Sequence, residues 1–163
     1  MMAKYLGINL VSGAISLYGA YLSGKIQEQI ALRKALYDLL LHIKCCIDNG
    51  ALPLPQIYSL FKNPVLEKYG ILEYLKRAGT DGIKAALNES TVKIDENIKS
   101  LYFQLSDTLG KSAFRTTESE TLSRYISLIE IEEQKLIKND QAKKELYKKL
   151  GILCGLMAAL VLV

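Results

Sequence analysis

The sequence predicts an all-α protein, a membrane-anchored helical bundle of about six helices whose long first and last helices continue into the membrane. Three observations lead there. Apolar residues recur three and four positions apart along most of the chain, with no alternating stretch of the kind a half-buried strand requires. An uncharged run occupies residues 5–24, and a second fills residues 150–163. The predicted division is an N-terminal transmembrane helix at 1–24, a helical bundle at 25–149 and a short C-terminal membrane helix at 150–163.

The first run, YLGINLVSGAISLYGAYLSG, lies between Lys4 and Lys25, and its twenty residues match what a membrane-crossing helix needs. Tyr5 stands at one edge and Tyr18 and Tyr21 near the other, where aromatic belts meet the lipid interface. A cleaved signal peptide would want a basic start and a small-x-small cleavage site; only Lys4 precedes this run and no A-x-A follows it, so the span is expected to be retained. Ser12, Ser16, Ala20 and Gly24 fall four apart, a ridge that lets another helix approach closely within the membrane.

Nothing stops the helix at Gly24. Ile26, Ile30, Leu36, Leu40, Ile43 and Ile47 continue at helical spacing, with Lys25, Glu28, Arg33, Lys34 and Asp38 mostly off that stripe. The helix is expected to run to about Asn49, with Gly50 as a left-handed cap. Pro53 and Pro55 cannot continue it, and Pro55 suits the first turn of a second helix that turns Ile57, Leu60 and Phe61 inward and stops near Asn63 and Pro64. A third, at 65–77, keeps Leu66, Tyr69, Leu72 and Leu75 on one face and tolerates Gly70. A short fourth piece covers 81–87. The fifth carries Ile94, Ile98, Leu101, Tyr102, Leu105 and Leu109, with Thr91 as its cap and Gly110 after its end. In the sixth, Thr117 with Glu120 has the form of a capping box. The pattern Leu122, Tyr125, Ile126, Ile129, Leu136 and Ile137 then passes through a basic stretch into the apolar tail.

That tail is ambiguous by length alone. Fourteen helical residues rise roughly 21 Å, short of the ~30 Å hydrocarbon core, so it could be a short span, a membrane dip or a buried helix. The first span and the lysines before the tail favour a second anchor, eased if Lys148 and Lys149 snorkel to the surface. Gly151 and Gly155 offer it a close-packing face toward the ridge from Ser12 to Gly24.

Composition excludes several functions. The net charge of +4 is small, and Glu130, Glu132, Glu133 and Glu145 interrupt the most basic region, unlike the unmixed Lys/Arg face of a nucleic-acid binder. Three cysteines, two of them adjacent (Cys45 and Cys46), write no disulfide framework, and no C-x-x-C with histidine partners offers a zinc site. His42 is the only histidine, and no acid or cysteine stands at ligand spacing to it. G-T-D-G at 79–82 lacks the Gly-Lys-Ser/Thr of a phosphate loop. Glu130, Glu132 and Glu133 read as a solvated charged face beside Lys135 and Lys138. No catalytic residue, cofactor or metal is expected. Lys25, Arg33 and Lys34 after the first apolar run, and Lys138, Lys143, Lys144, Lys148 and Lys149 before the second, place the middle of the chain in the cytoplasm under the positive-inside rule.

Three motifs in order carry a family resemblance: N-G-A-L-P-L-P at 49–55, L-S-D-T-L-G-K-S at 105–112 and K-K-L-G-I-L-C-G-L at 148–156. The chain resembles the stage III sporulation protein AB family over essentially its whole length. It departs from the family pattern at Ala113, where an acidic residue is expected after Ser112. The resemblance implies a small protein of the mother-cell membrane facing the forespore. Its soluble part would be similar to the helical domain of type II secretion F platform proteins. It would sit in a channel-like complex with a sporulation ATPase and other membrane proteins, with a homo-oligomer as a further option and no catalytic residues of its own. The alternative from another class is a membrane-tethered helical sensor or regulator, which would need a polar ligand pocket within the bundle.

Overall fold

Seven helices account for the secondary structure of the described residues: α1 (Met2–Asn49), α2 (Leu54–Leu60), α3 (Pro64–Lys68), α4 (Ile71–Ala78), α5 (Gly82–Glu89), α6 (Glu96–Thr108) and α7 (Arg115–Leu162). The structure, a computed structural model, describes residues 2–50, 52–78, 82–89, 94–110 and 115–162, with side chains at 13–50, 52–77, 82–89, 94–110, 116–158 and 160. The expected all-α class is correct, and the first and last helices are single unbroken elements as the uninterrupted periodicity implied. Among the described residues no helix is long and apolar enough to cross a membrane. Residues 5–12 of the expected first span lie outside the described side chains.

The chain divides into two units, Met1–Ile30 with Leu136–Val163, and Ala31–Lys135. In the second unit the core stripe of α1 is Leu32, Leu36, Leu39, Leu40 and Ile43, each 2 % exposed or less. These are successive turns of one helical face, and burying each such side chain contributes about 1.5–3 kcal/mol of transfer free energy. Leu122, Ile126 and Ile129 form the corresponding stripe of α7. α4 packs against α2, α3 and α5, and α5 against α6. Gly82 opens α5 where a Cβ would lie 3.2 Å from the Leu75 carbonyl oxygen, so a glycine lets α5 begin directly against α4.

Several local expectations need correction. The expected single helix at 65–77 is two helices, because Gly70 adopts φ +68, a left-handed value that ends α3 and restarts the chain at α4. Gly50 is not a left-handed cap; among the described residues only Gly70 and Gly110 have positive φ. Leu60 is 59 % exposed, because the inward face of α2 is set by Leu54, Ile57 and Tyr58. Asn63 caps α3, its side-chain oxygen accepting from the amides of Val65 at 2.9 Å and Leu66 at 3.3 Å. Pro64 occupies the first turn of that helix. Asp95 caps α6, accepting from the Asn97 amide at 3.0 Å; Thr91, the expected cap, lies outside the described residues, as does Ala113. α7 begins at Arg115, so Thr117 sits inside its first turn and not at its cap, and Glu118 accepts from the Gly110 amide instead.

Candidate functional site

In the first unit, α1 and α7 run antiparallel, with position 16 beside 151, 19 beside 147–151, and 27 beside 144. The contact is built from small side chains. A Cβ on Gly19 would lie 2.8 Å from both the Gly151 Cα and the Tyr147 carbonyl oxygen, so the two backbones touch there. The Ser16 hydroxyl donates to the Gly151 carbonyl oxygen at 3.3 Å. Gly19, Ser23, Gly151 and Gly155 are all buried. Such a seam gains its stability from close van der Waals packing and short polar contacts.

Of the six residues singled out in the sequence, the structure brings Ser16 and Gly151 together and buries Gly155. Ala20 and Gly24 are exposed, and a Cβ on Gly24 would meet nothing within 4 Å. The side chain of Ser12 lies outside the described residues. On α1 the seam follows Ser16, Gly19 and Ser23, a spacing of three then four, and not the four-residue ladder.

The outer surface of this unit is apolar beside the glycine contact and charged further along, where Lys25, Glu28, Lys143, Glu145, Lys148 and Lys149 are exposed. Leu17, Tyr18, Tyr21, Ile152, Leu153, Leu156, Met157 and Leu160 are each more than half exposed. Contiguous apolar exposure of this kind marks a surface that meets a membrane or a partner. Tyr18 and Tyr21 stack at 6.5 Å, and the Lys25 ammonium lies 4.8 Å from the centre of the Tyr21 ring. Further along, the Lys144 ammonium donates to the Gln27 side-chain oxygen at 2.6 Å. Aromatic and cationic groups therefore gather at one end of the apolar surface.

The second unit holds a polar layer inside its core. Arg33 Nε donates to Glu133 Oε2 at 3.1 Å, and the two side chains are only 7 % and 9 % exposed. Glu133 therefore does not belong to the solvated face expected of it, whereas Glu132 does, pairing with Lys135 at the surface. Tyr37 hydrogen-bonds Glu130; partial burial, then that carboxylate, push its phenol pKa up. Tyr102 is 1 % exposed, and its phenol is held well above the usual tyrosine range by burial first and by Glu133 next. A buried ion pair is strongly destabilising to break but no guarantee of net stability, and its best-attested use is to fix which residues of two helices face each other. Arg33, expected mostly off the α1 stripe, in fact extends Leu36, Leu40 and Ile43 by one turn, as Glu133 extends Leu122, Ile126 and Ile129, so the periodicity carried a signal for both partners.

The histidine and both cysteines of this unit lie on one stretch of α1. His42 meets Phe61 in a tilted contact at 5.2 Å and, contrary to the expectation that no cysteine stands near it, meets the Cys46 sulfur one turn along at 3.6 Å, while burial raises the Cys46 thiol pKa and so disfavours the reactive thiolate. Among the described residues no group of three or more His, Cys, Asp or Glu could hold a metal ion. A cavity of about 10 Å³ lies between Leu36, Leu75, Leu87 and Tyr102. It is apolar and only the size of one water.

A family model described as stage III sporulation protein AB matches residues 4–163. No curated protein and no solved structure matches the chain.

Proposed function

The chain belongs to the stage III sporulation protein AB family, and from that premise we propose that it is a non-enzymatic membrane platform of a secretion-like complex between mother cell and forespore. Family membership assigns it to stage III of sporulation. The first unit is the anchor, placed in the mother-cell membrane that faces the forespore. The second unit projects into the cytoplasm, where it binds the ATPase of the complex, and the anchor contacts neighbouring membrane subunits.

The observation that carries this reading is the first unit's combination of a glycine seam inside and more-than-half-exposed Leu, Ile, Met and Tyr outside. In water that arrangement would leave the larger hydrophobic surface uncovered; in lipid it is the expected one, since small residues face the partner helix and large ones the acyl chains. The buried Arg33–Glu133 pair supports a scaffold, because it fixes α1 against α7 within the second unit without offering a reacting group.

The test is purification of the tagged full-length protein from detergent-solubilised membranes of sporulating cells. The expected result is recovery in the membrane fraction together with an ATPase and further membrane proteins, with spore development arrested after engulfment when the gene is deleted. Recovery without membrane partners, or normal spore yield on deletion, would refute the platform role.

A further inference from the structure

Resting on the anchor reading above, the geometry points to an anchor whose apolar thickness is about 21 Å, roughly two thirds of a bilayer core, with residues 19–24 at the headgroup level and not in the hydrocarbon. The uncharged run of α1 covers residues 5–24. By itself that run would reach the ~30 Å of a full core. The antiparallel register removes its upper part. Gly19 lies against the backbone between Tyr147 and Gly151, which sets Lys148 and Lys149 level with residues 18–20 of α1. Both lysines are exposed, so the charged boundary on α7 falls about one and a half turns before the one that Lys25 marks on α1. Lys4 bounds the other side.

Between those limits α1 offers positions 5–18, about fourteen residues and ~21 Å of rise. The aromatic groups agree with that boundary. Tyr18 and Tyr21, stacked with the Lys25 ammonium over the Tyr21 ring, and Tyr147 on α7 all fall at this level, where interfacial tyrosines and lysines gather. A pair of helices this short draws the two bilayer surfaces together around it and favours thin membranes over thick ones.

The chain contains no tryptophan, so single tryptophans report depth without background. Leu17 and Leu156 are both outward-facing, 72 % and 59 % exposed, and tolerate the larger ring. Full-length L17W and L156W would be reconstituted in phosphatidylcholine and phosphatidylglycerol vesicles brominated either near the headgroup or near the chain end. Residue 17 lies within about 2 Å of the boundary if it falls at residue 18, and about 10 Å inside it if it falls at residue 24. The expected result is L17W quenched most by shallow bromine and L156W by deep bromine, with L17W moving to the deep pattern when K148L and K149L remove the lysine boundary. L17W quenched as deeply as L156W in the parent chain would overturn the short anchor while leaving the anchor itself in place. Quenching of neither tryptophan would overturn both.

Discussion

Substituting Gly19 with alanine separates the two forces that act on a helical glycine. Anywhere in a helix interior, Gly→Ala removes backbone freedom from the unfolded chain and stabilises by roughly 0.5–1 kcal/mol. At Gly19 the new Cβ would sit 2.8 Å from the Gly151 Cα and 2.8 Å from the Tyr147 carbonyl oxygen, both backbone atoms that cannot rotate away. Restoring ordinary contact of about 3.5–4.0 Å moves the helices apart by roughly 1 Å. The Ser16–Gly151 hydrogen bond is already 3.3 Å long. It does not survive that displacement. Overpacking of this kind costs about 1–3 kcal/mol, so after the helix gain G19A comes out destabilising by up to about 2.5 kcal/mol, centred on about 1. G24A is the matched control: the same substitution on the same helix, with open space at the Cβ, retains only the gain.

The assay is cross-linking of Q27C with K144C by a short bis-maleimide, since the parent contact at 2.6 Å joins the tips of two long side chains and leaves the cysteines too far apart for a direct disulfide, in a full-length background with Cys45, Cys46 and Cys154 replaced. The yield is followed against temperature in detergent. G19A should lower the temperature at which cross-linking is lost and G24A should leave it unchanged or raise it. If both variants shift it the same way, the glycine contact is not where the helices are held.

Two further perturbations address the second unit. Removing one member of the buried pair, as R33M or E133Q, should destabilise the full chain by about 3–5 kcal/mol in a denaturant titration, whereas R33M with E133L should recover most of that loss. A double variant as weak as the singles would mean the pair contributes attraction and not only the cost of an isolated buried charge. Tyr58 and Tyr102 both have phenol pKa values raised by burial. Above about pH 10 the unfolded chain therefore releases protons that the folded chain keeps, and stability falls as pH rises, approaching about 1.4 kcal/mol per pH unit for each tyrosine. Y58F and Y102F should each remove one such increment from the slope above about pH 10, at little cost near neutrality because neither hydroxyl has a hydrogen-bond partner among the described residues. An unchanged slope would place those phenols in water.

How far the sequence could be read depended on whether a signal lay within one helix or between two. The continuity of α1 and α7 was legible because no proline or glycine cluster interrupts an apolar period. The break at Gly70 was not, since a lone glycine inside a helical pattern is compatible with a costly but unbroken helix; only the packing of α3 and α4 as separate elements demands the left-handed φ. Arg33 and Glu133 were misplaced for a related reason. Each charge stands a hundred residues from the other, and without its partner either one belongs on a wet face.

The same limit governs the seam. Ser16 admits two ladders on α1, one through Ala20 and Gly24 and one through Gly19 and Ser23, and both consist of small residues. Helix geometry alone turns them only about 100° apart, so composition cannot choose. The choice falls to α7, where Gly151 accepts a backbone at Gly19 while Tyr147 and Lys148 bring bulk and charge nearby. A spacing of three then four keeps a straight pair in contact over successive turns, whereas a strict four-residue ladder drifts around the helix by about 40° per step. The faces left over by that choice, Leu17, Tyr18 and Tyr21, are the large ones, and they turn outward because the small ones are already in use. Selection of the Gly19 ladder thus sets both the closeness of the helices and the apolar character of the surface they present.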